Sequence, residues 1–192
     1  MAKKKRKPWQ QYLSTSGMMY VYSLLFSVAA MVFLMDNIPA WVQIIMGILF
    51  AVPVYALFYI SGKREGEEMY KDVSKGTLTT IHDKAPMKVP VYRSVLHTLG
   101  YAVPLIVLTL IAAFGRIAIV RGIVSIFLMP ATLVYLGAGV LNFDEVTLNL
   151  LYIYLPVIVF GCGVYVFGYL KSVLIMRRRQ GEIESELRSF DN

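Results

Sequence analysis

Arg116 and Arg121 are the residues of this chain best placed to hold a ligand. They flank four aliphatics, Ile117 to Val120, next to long apolar stretches. Two guanidinium groups there could bind an anionic solute or an anionic lipid headgroup. The simpler alternative is that both snorkel to phosphates at the end of a span.

The rest of the reactive inventory is sparse. His82, beside Asp83, and His97 are the only histidines. A metal site requires three or four ligands at suitable spacing, and none is assembled, so neither a metal nor a cofactor is expected. His82 reads as a solvated loop residue and His97 as an interfacial one. Cys162 is the sole cysteine, which excludes an internal disulfide and points to simple packing. Tyr152, Tyr154, Tyr165 and Tyr169 read as interface belt and core.

No HExxH, G-x-S-x-G, P-loop or paired in-membrane aspartate occurs. The expectation is therefore that the chain is not an enzyme. A lipid-modifying pocket would need Arg93, His97 and Arg116 together, on one side of the membrane.

The elements that carry these residues follow from charge spacing. Lys and Arg number 19, and all but Arg116 and Arg121 fall within Lys3–Lys7, Lys63–Arg93 and Lys171–Arg188. Between the blocks run stretches free of Asp, Glu, Lys and Arg: Pro8–Met35, Asn37–Gly62, Ser94–Gly115, Gly122–Phe143 and Val146–Leu170. Each exceeds the roughly 20 residues needed to cross about 30 Å of hydrocarbon. Apolar residues make up 57% of the chain, charged residues 16%, and mean hydropathy is +0.61. A soluble domain is usually about 45–50% apolar and about 25% charged.

The net charge of +7 flanks apolar segments instead of forming one face of a soluble fold. Nucleic acid is therefore not an expected partner. Anionic headgroups at the cytoplasmic face are. Lys3–Lys7 precedes an apolar stretch too long for a signal-peptide core, and the reading is a retained first span.

Positive charge decides the number of crossings. Five spans would put Lys171, Arg177, Arg178, Arg179 and Arg188 outside. Four spans misplace only Arg116 and Arg121. The expected fold is all-α, a polytopic transmembrane helical bundle. Four membrane-spanning helices form two hairpins, with a re-entrant or interfacial segment at 116–143; five spans is the alternative. Residues 1–192 form one membrane domain: a basic N-terminus at 1–14, hairpin 1 at 15–61, a cytoplasmic loop at 62–91, hairpin 2 at 92–172 with an outer insertion at 116–145, and a tail at 173–192. Both termini are expected in the cytoplasm and the chain in the cell membrane. Lys63–Lys71 could extend the second span as helix, with a break at Ser74–Gly76.

Phe50, Val54, Tyr55, Tyr59 and Ile60 recur 110 positions later as Phe160, Val164, Tyr165, Tyr169 and Leu170, and Tyr12 and Ser14 recur 80 positions later as Tyr92 and Ser94. Two hairpins in the same orientation would produce this, as a parallel repeat does in some transporters. Tyrosine enrichment at both interfaces would produce part of it without any duplication.

Pro53, Pro104 and Pro130 should kink their segments. Gly161, Gly163 and Gly168 form a small-residue stripe for helix–helix packing. No Asp, Glu, Lys or Arg falls near the middle of the four spans, so proton-coupled transport by this chain alone is not expected. The function expected is a non-catalytic subunit or accessory protein of a larger transport-type membrane assembly. Its partner would be another membrane protein or a further copy. The alternative is a self-assembling small transporter or channel for an anionic solute or lipid.

Overall fold

The structure, a computed structural model, describes residues 8–34, 38–78, 92–115, 117–139 and 148–190. All regular structure among them is helical: α1 (Pro8–Ala30) with a 3-10 turn at Met31–Leu34, α2 (Ala40–Leu78), α3 (Tyr92–Phe114), α4 (Ala118–Phe127), α5 (Met129–Gly137) and α6 (Leu148–Phe190). Long apolar runs must satisfy their own backbone in lipid, and a helix does so within one segment. Four of the helices are long and apolar enough to cross a membrane, or five if the bent pair α4–α5 counts as one span.

The packing fixes direction. Thr15 meets Glu65 and Phe33 meets Gln43, so α1 and α2 run antiparallel. Ser16 bonds to the His97 carbonyl and Tyr20 to the Tyr101 carbonyl, so α1 and α3 run parallel. Tyr55 meets Phe160, and a Cβ on Gly66 would meet Tyr169 O at 2.6 Å, so α2 and α6 run parallel. The chain is thus two hairpins, α1–α2 and α3–α6, in the same orientation. The α1–α3 offset of 81 positions sits close to the offset of the Tyr12/Tyr92 recurrence.

One end of this bundle is charged. Lys63, Arg64, Lys71, Arg93, Lys171 and Arg177–Arg179 lie toward it. At the opposite, apolar end α3 stops and α2 and α6 begin. The pair α4–α5 starts and finishes at that apolar end. A Cβ on Gly137 would fall 2.5 Å from Ala40 O, and one on Gly47 would fall 2.6 Å from Pro130 O. So α5 climbs antiparallel along α2, from the level of Gly47 to the level of Ala40. Seven residues at 1.5 Å per residue put the turn about 10 Å deep. The pair α4–α5 thus starts and returns at the same end of the bundle.

The bend between α4 and α5 is 102°. Leu128 leaves helical geometry at φ −111, ψ 23, and Pro130 lies in the first turn of α5. Proline has no N–H, so α4 cannot continue through it. Pro130 therefore marks the bend of this segment and starts the helix that follows it. The return ends at Gly139, whose φ of 69 suits glycine.

Two expectations about α2 change. Its helix runs through Ser74–Gly76 to Leu78, and 39 residues make about 58 Å. Residues 72–78 are therefore helix, and not loop as expected beyond Lys71. The 43 residues of α6 make about 64 Å. Both helices continue well past the thickness of a bilayer core, at the charged end. Arg64 and Glu68 pair at 3.2 Å on the exposed face of α2; such a pair adds only about 0.3–0.5 kcal/mol.

Candidate functional site: a buried carboxylate joined to four helices

The core between the helices carries more hydroxyls than an apolar bundle needs. Ser16, Ser23 and Ser27 of α1 are buried, as are Ser94, His97, Thr98, Tyr101 and Thr109 of α3. Ser23 Oγ lies 3.0 Å from the Tyr101 hydroxyl. At the re-entrant hairpin, Tyr154 Oη lies 3.0 Å from both Ser125 Oγ and Thr132 Oγ1. Thr132 also bonds back to Leu128 O at 3.1 Å, satisfying a carbonyl at the bend. These bonds tie α4, α5 and α6 together where backbone is irregular, which is the condition for such backbone at membrane depth.

The charged end of the same seam holds Glu65. Its residue type is the one the expected second span excluded. That span was expected to end before Lys63, with Glu65 in a polar helical extension over Lys63–Lys71 beyond it. Because α2 continues as helix, the side chain turns inward while Arg64 and Glu68 turn out. Gly62 and Gly66 bracket it and lie against the backbone of Tyr165 and Tyr169. Their spacing is the GxxxG that lets two helices touch.

Four helices meet at this carboxylate. His97 Nδ1 of α3 contacts Oε1. The Tyr165 hydroxyl of α6 donates to Oε2, and Thr15 Oγ1 of α1 lies 3.5 Å from the same oxygen. The side chains of Glu65 and His97 are 17% and 7% exposed, and Tyr165 and Tyr169 are fully buried. His97 is therefore buried within the bundle, at its charged end. Its ring also lies 5.8 Å from that of Tyr12, tilted by 58°, and the Ser16 hydroxyl donates to its carbonyl at 2.9 Å. Arg93 reaches Met69 Sδ at 3.6 Å, one helical turn beyond Glu65.

At mid-height, between seam and hairpin, lies a cavity of about 30 Å³ whose lining includes Ser23, Tyr55, Phe58, Tyr101, Leu128 and Val157. It has room for about one water molecule. Every long helix and the hairpin turn contribute to its wall.

The other sequence candidates are dispersed. Arg121 is half-buried on α4, toward the apolar end. Arg116, His82, Asp83, Asp36, Asp144, Glu145 and Lys3–Lys7 lie outside the described residues. Gly161 and Gly168 face α2: a Cβ on Gly161 would sit 3.2 Å from Phe58, and one on Gly168 would meet Tyr59 O. Gly163 faces open space, because two residues around a helix is the opposite face. Pro53 and Pro104 sit inside α2 and α3, and Pro156 sits inside α6. Tyr152 is exposed, while Tyr154 is part of the hairpin network. Cys162 packs half-buried, with Sγ 3.8 Å from Thr98 O. No cluster of three His, Cys, Asp or Glu occurs among the described residues.

No protein-family model, curated protein or solved structure matches this chain.

Proposed function

We propose that this protein is a small multi-pass transporter or channel whose passage runs through the centre of its own bundle. It acts on no covalent bond. The observation that carries this reading is the re-entrant hairpin α4–α5, whose turn reaches the central cavity. Irregular backbone at membrane depth is tolerated when packed in protein or lining an aqueous space, and discontinuous helices near mid-membrane are where transporters place their sites. The two like-oriented hairpins add to it. In this reading the charged end and both termini face the cytoplasm, by the positive-inside rule, and anionic headgroups gather around Arg177–Arg179. The membrane is the cell membrane.

The test is uptake by liposomes containing this chain alone, across a panel of small anions and cations. Flux above that of empty vesicles is expected. Ala131→Trp, which fills the cavity wall, should return it to background while the protein stays monodisperse. Combined Arg116→Ala and Arg121→Ala should lower anion flux if the pair attracts the solute. Folded protein that moves no solute in the panel contradicts the proposal.

A second reading, an accessory subunit of a larger transport-type assembly, rests on α6. Its exposed Arg177, Arg178 and Arg179 stand on a helix longer than any span requires. This reading expects a second membrane protein, or a further copy, to co-purify through that helix.

A further inference from the structure

We propose that Glu65, held between His97 and Tyr165, is a proton-binding site inside the bundle. The inference concerns a site distinct from the hairpin and holds whether or not the chain moves a solute.

An ionisable group within a membrane bundle is expensive, and such groups commonly serve as relays or ion sites. Glu65 meets that description through its partners. Its two oxygens face groups of different chemistry. Oε2 accepts a hydrogen bond from the Tyr165 hydroxyl. Oε1 lies against His97 Nδ1, a buried nitrogen with no other hydrogen-bond partner among the described residues, and a proton between the two atoms would join them. The proton lies either on nitrogen, donated to a carboxylate, or on oxygen, donated to a neutral imidazole. Uptake of one proton from water places it on the pair, and release returns it to water. The exchange faces the charged end, where Lys63 and Arg64 are exposed.

The groups surrounding the pair come from every packed element. From α1 they are Thr15, and Tyr12 against the imidazole. From α3 there is Arg93 as well as His97, and from α6 Tyr169 as well as Tyr165. Tyr169 lies within electrostatic reach of both Glu65 and Arg93.

A metal cation fits less well. Small hard cations take several oxygen ligands, whereas here one carboxylate oxygen is occupied by imidazole nitrogen and the other by a hydroxyl donor. The pH range to probe is about 5 to 8, where imidazole groups in general change charge.

The experiment is infrared spectroscopy of the full chain in lipid nanodiscs, with glutamate carbons isotopically labelled, titrated across that pH range. A protonated-carboxyl band is expected to grow as pH falls and to be missing in Glu65→Gln. Its midpoint should move by about one pH unit or more in Tyr165→Phe and in His97→Gln, since each removes a charge- or hydrogen-bond partner. Exchange of sodium for potassium should leave it in place. Three results overturn the proposal: no band lost in Glu65→Gln, a midpoint unmoved in both partner variants, or a midpoint that follows sodium. If Glu65→Gln does not fold, the labelled wild type and Tyr165→Phe still decide the matter.

Discussion

Tyr165 on α6 donates its hydroxyl to the carboxylate of Glu65 on α2, exactly 100 positions earlier in the chain. The contact exists because Gly62 and Gly66 bring the two helix backbones together on either side of Glu65. With His97 and Thr15 on the same carboxylate, one side chain links all four long helices. Removing the link tests its structural weight. Glu65→Ala leaves His97 and Tyr165 without their buried partner, and an orphaned polar group costs about 1–3 kcal/mol. Glu65→Gln keeps an acceptor and a donor. Denaturant unfolding in micelles should therefore show a larger loss for Glu65→Ala than for Glu65→Gln. Equal losses would mean that the contacts carry no stability.

The glycines separate by the face they occupy. Gly62→Ala would place a methyl group against the Tyr165 carbonyl, and backbone cannot step aside as a side chain can. A loss of about 1–3 kcal/mol is expected from overpacking. Gly163→Ala meets open space and should stay within about 0.5 kcal/mol of the parent. The same unfolding assay checks both, and a reversed order would contradict the α2–α6 packing.

Tyr154 ties the re-entrant hairpin to α6 through Ser125 and Thr132. Tyr154→Phe removes both bonds while keeping the ring. Hydrogen bonds between membrane helices average about 0.6 kcal/mol each, so a loss near 1 kcal/mol is expected. Backbone amide exchange should rise in α4 and α5 more than in α1. Uniform exchange across the bundle would show that the hairpin is not separately held.

Four long apolar helices were legible in the sequence because charge is costly in hydrocarbon and therefore marks their ends. The break in the apolar stretch after Arg121 was legible from Pro130, which a helix cannot run through. The site was not legible. Lys63, Arg64, Glu67 and Glu68 surround Glu65 and make the segment look solvated, although a helix continuing from Phe58 turns Glu65 inward. The signal that could have found it was Gly62-x-x-x-Gly66 with an acid between the glycines. His97 offered no pattern of its own, since its partner lies on another helix and is joined to it only by tertiary packing. The glycines of α6 were read as one stripe, but helical geometry puts Gly163 on the far side.

The central claim is that α4–α5 enters and leaves at one end of a four-span bundle, with the basic segments at the other. Single cysteines introduced by Ala118→Cys, Asp144→Cys and Glu182→Cys, in a Cys162→Ala background, measure this in sealed cells with a membrane-impermeant thiol reagent. The account predicts labelling at 118 and 144 from outside, and at 182 only after the membrane is opened. External labelling at 182 together with protection at 144 would establish five crossings and contradict it.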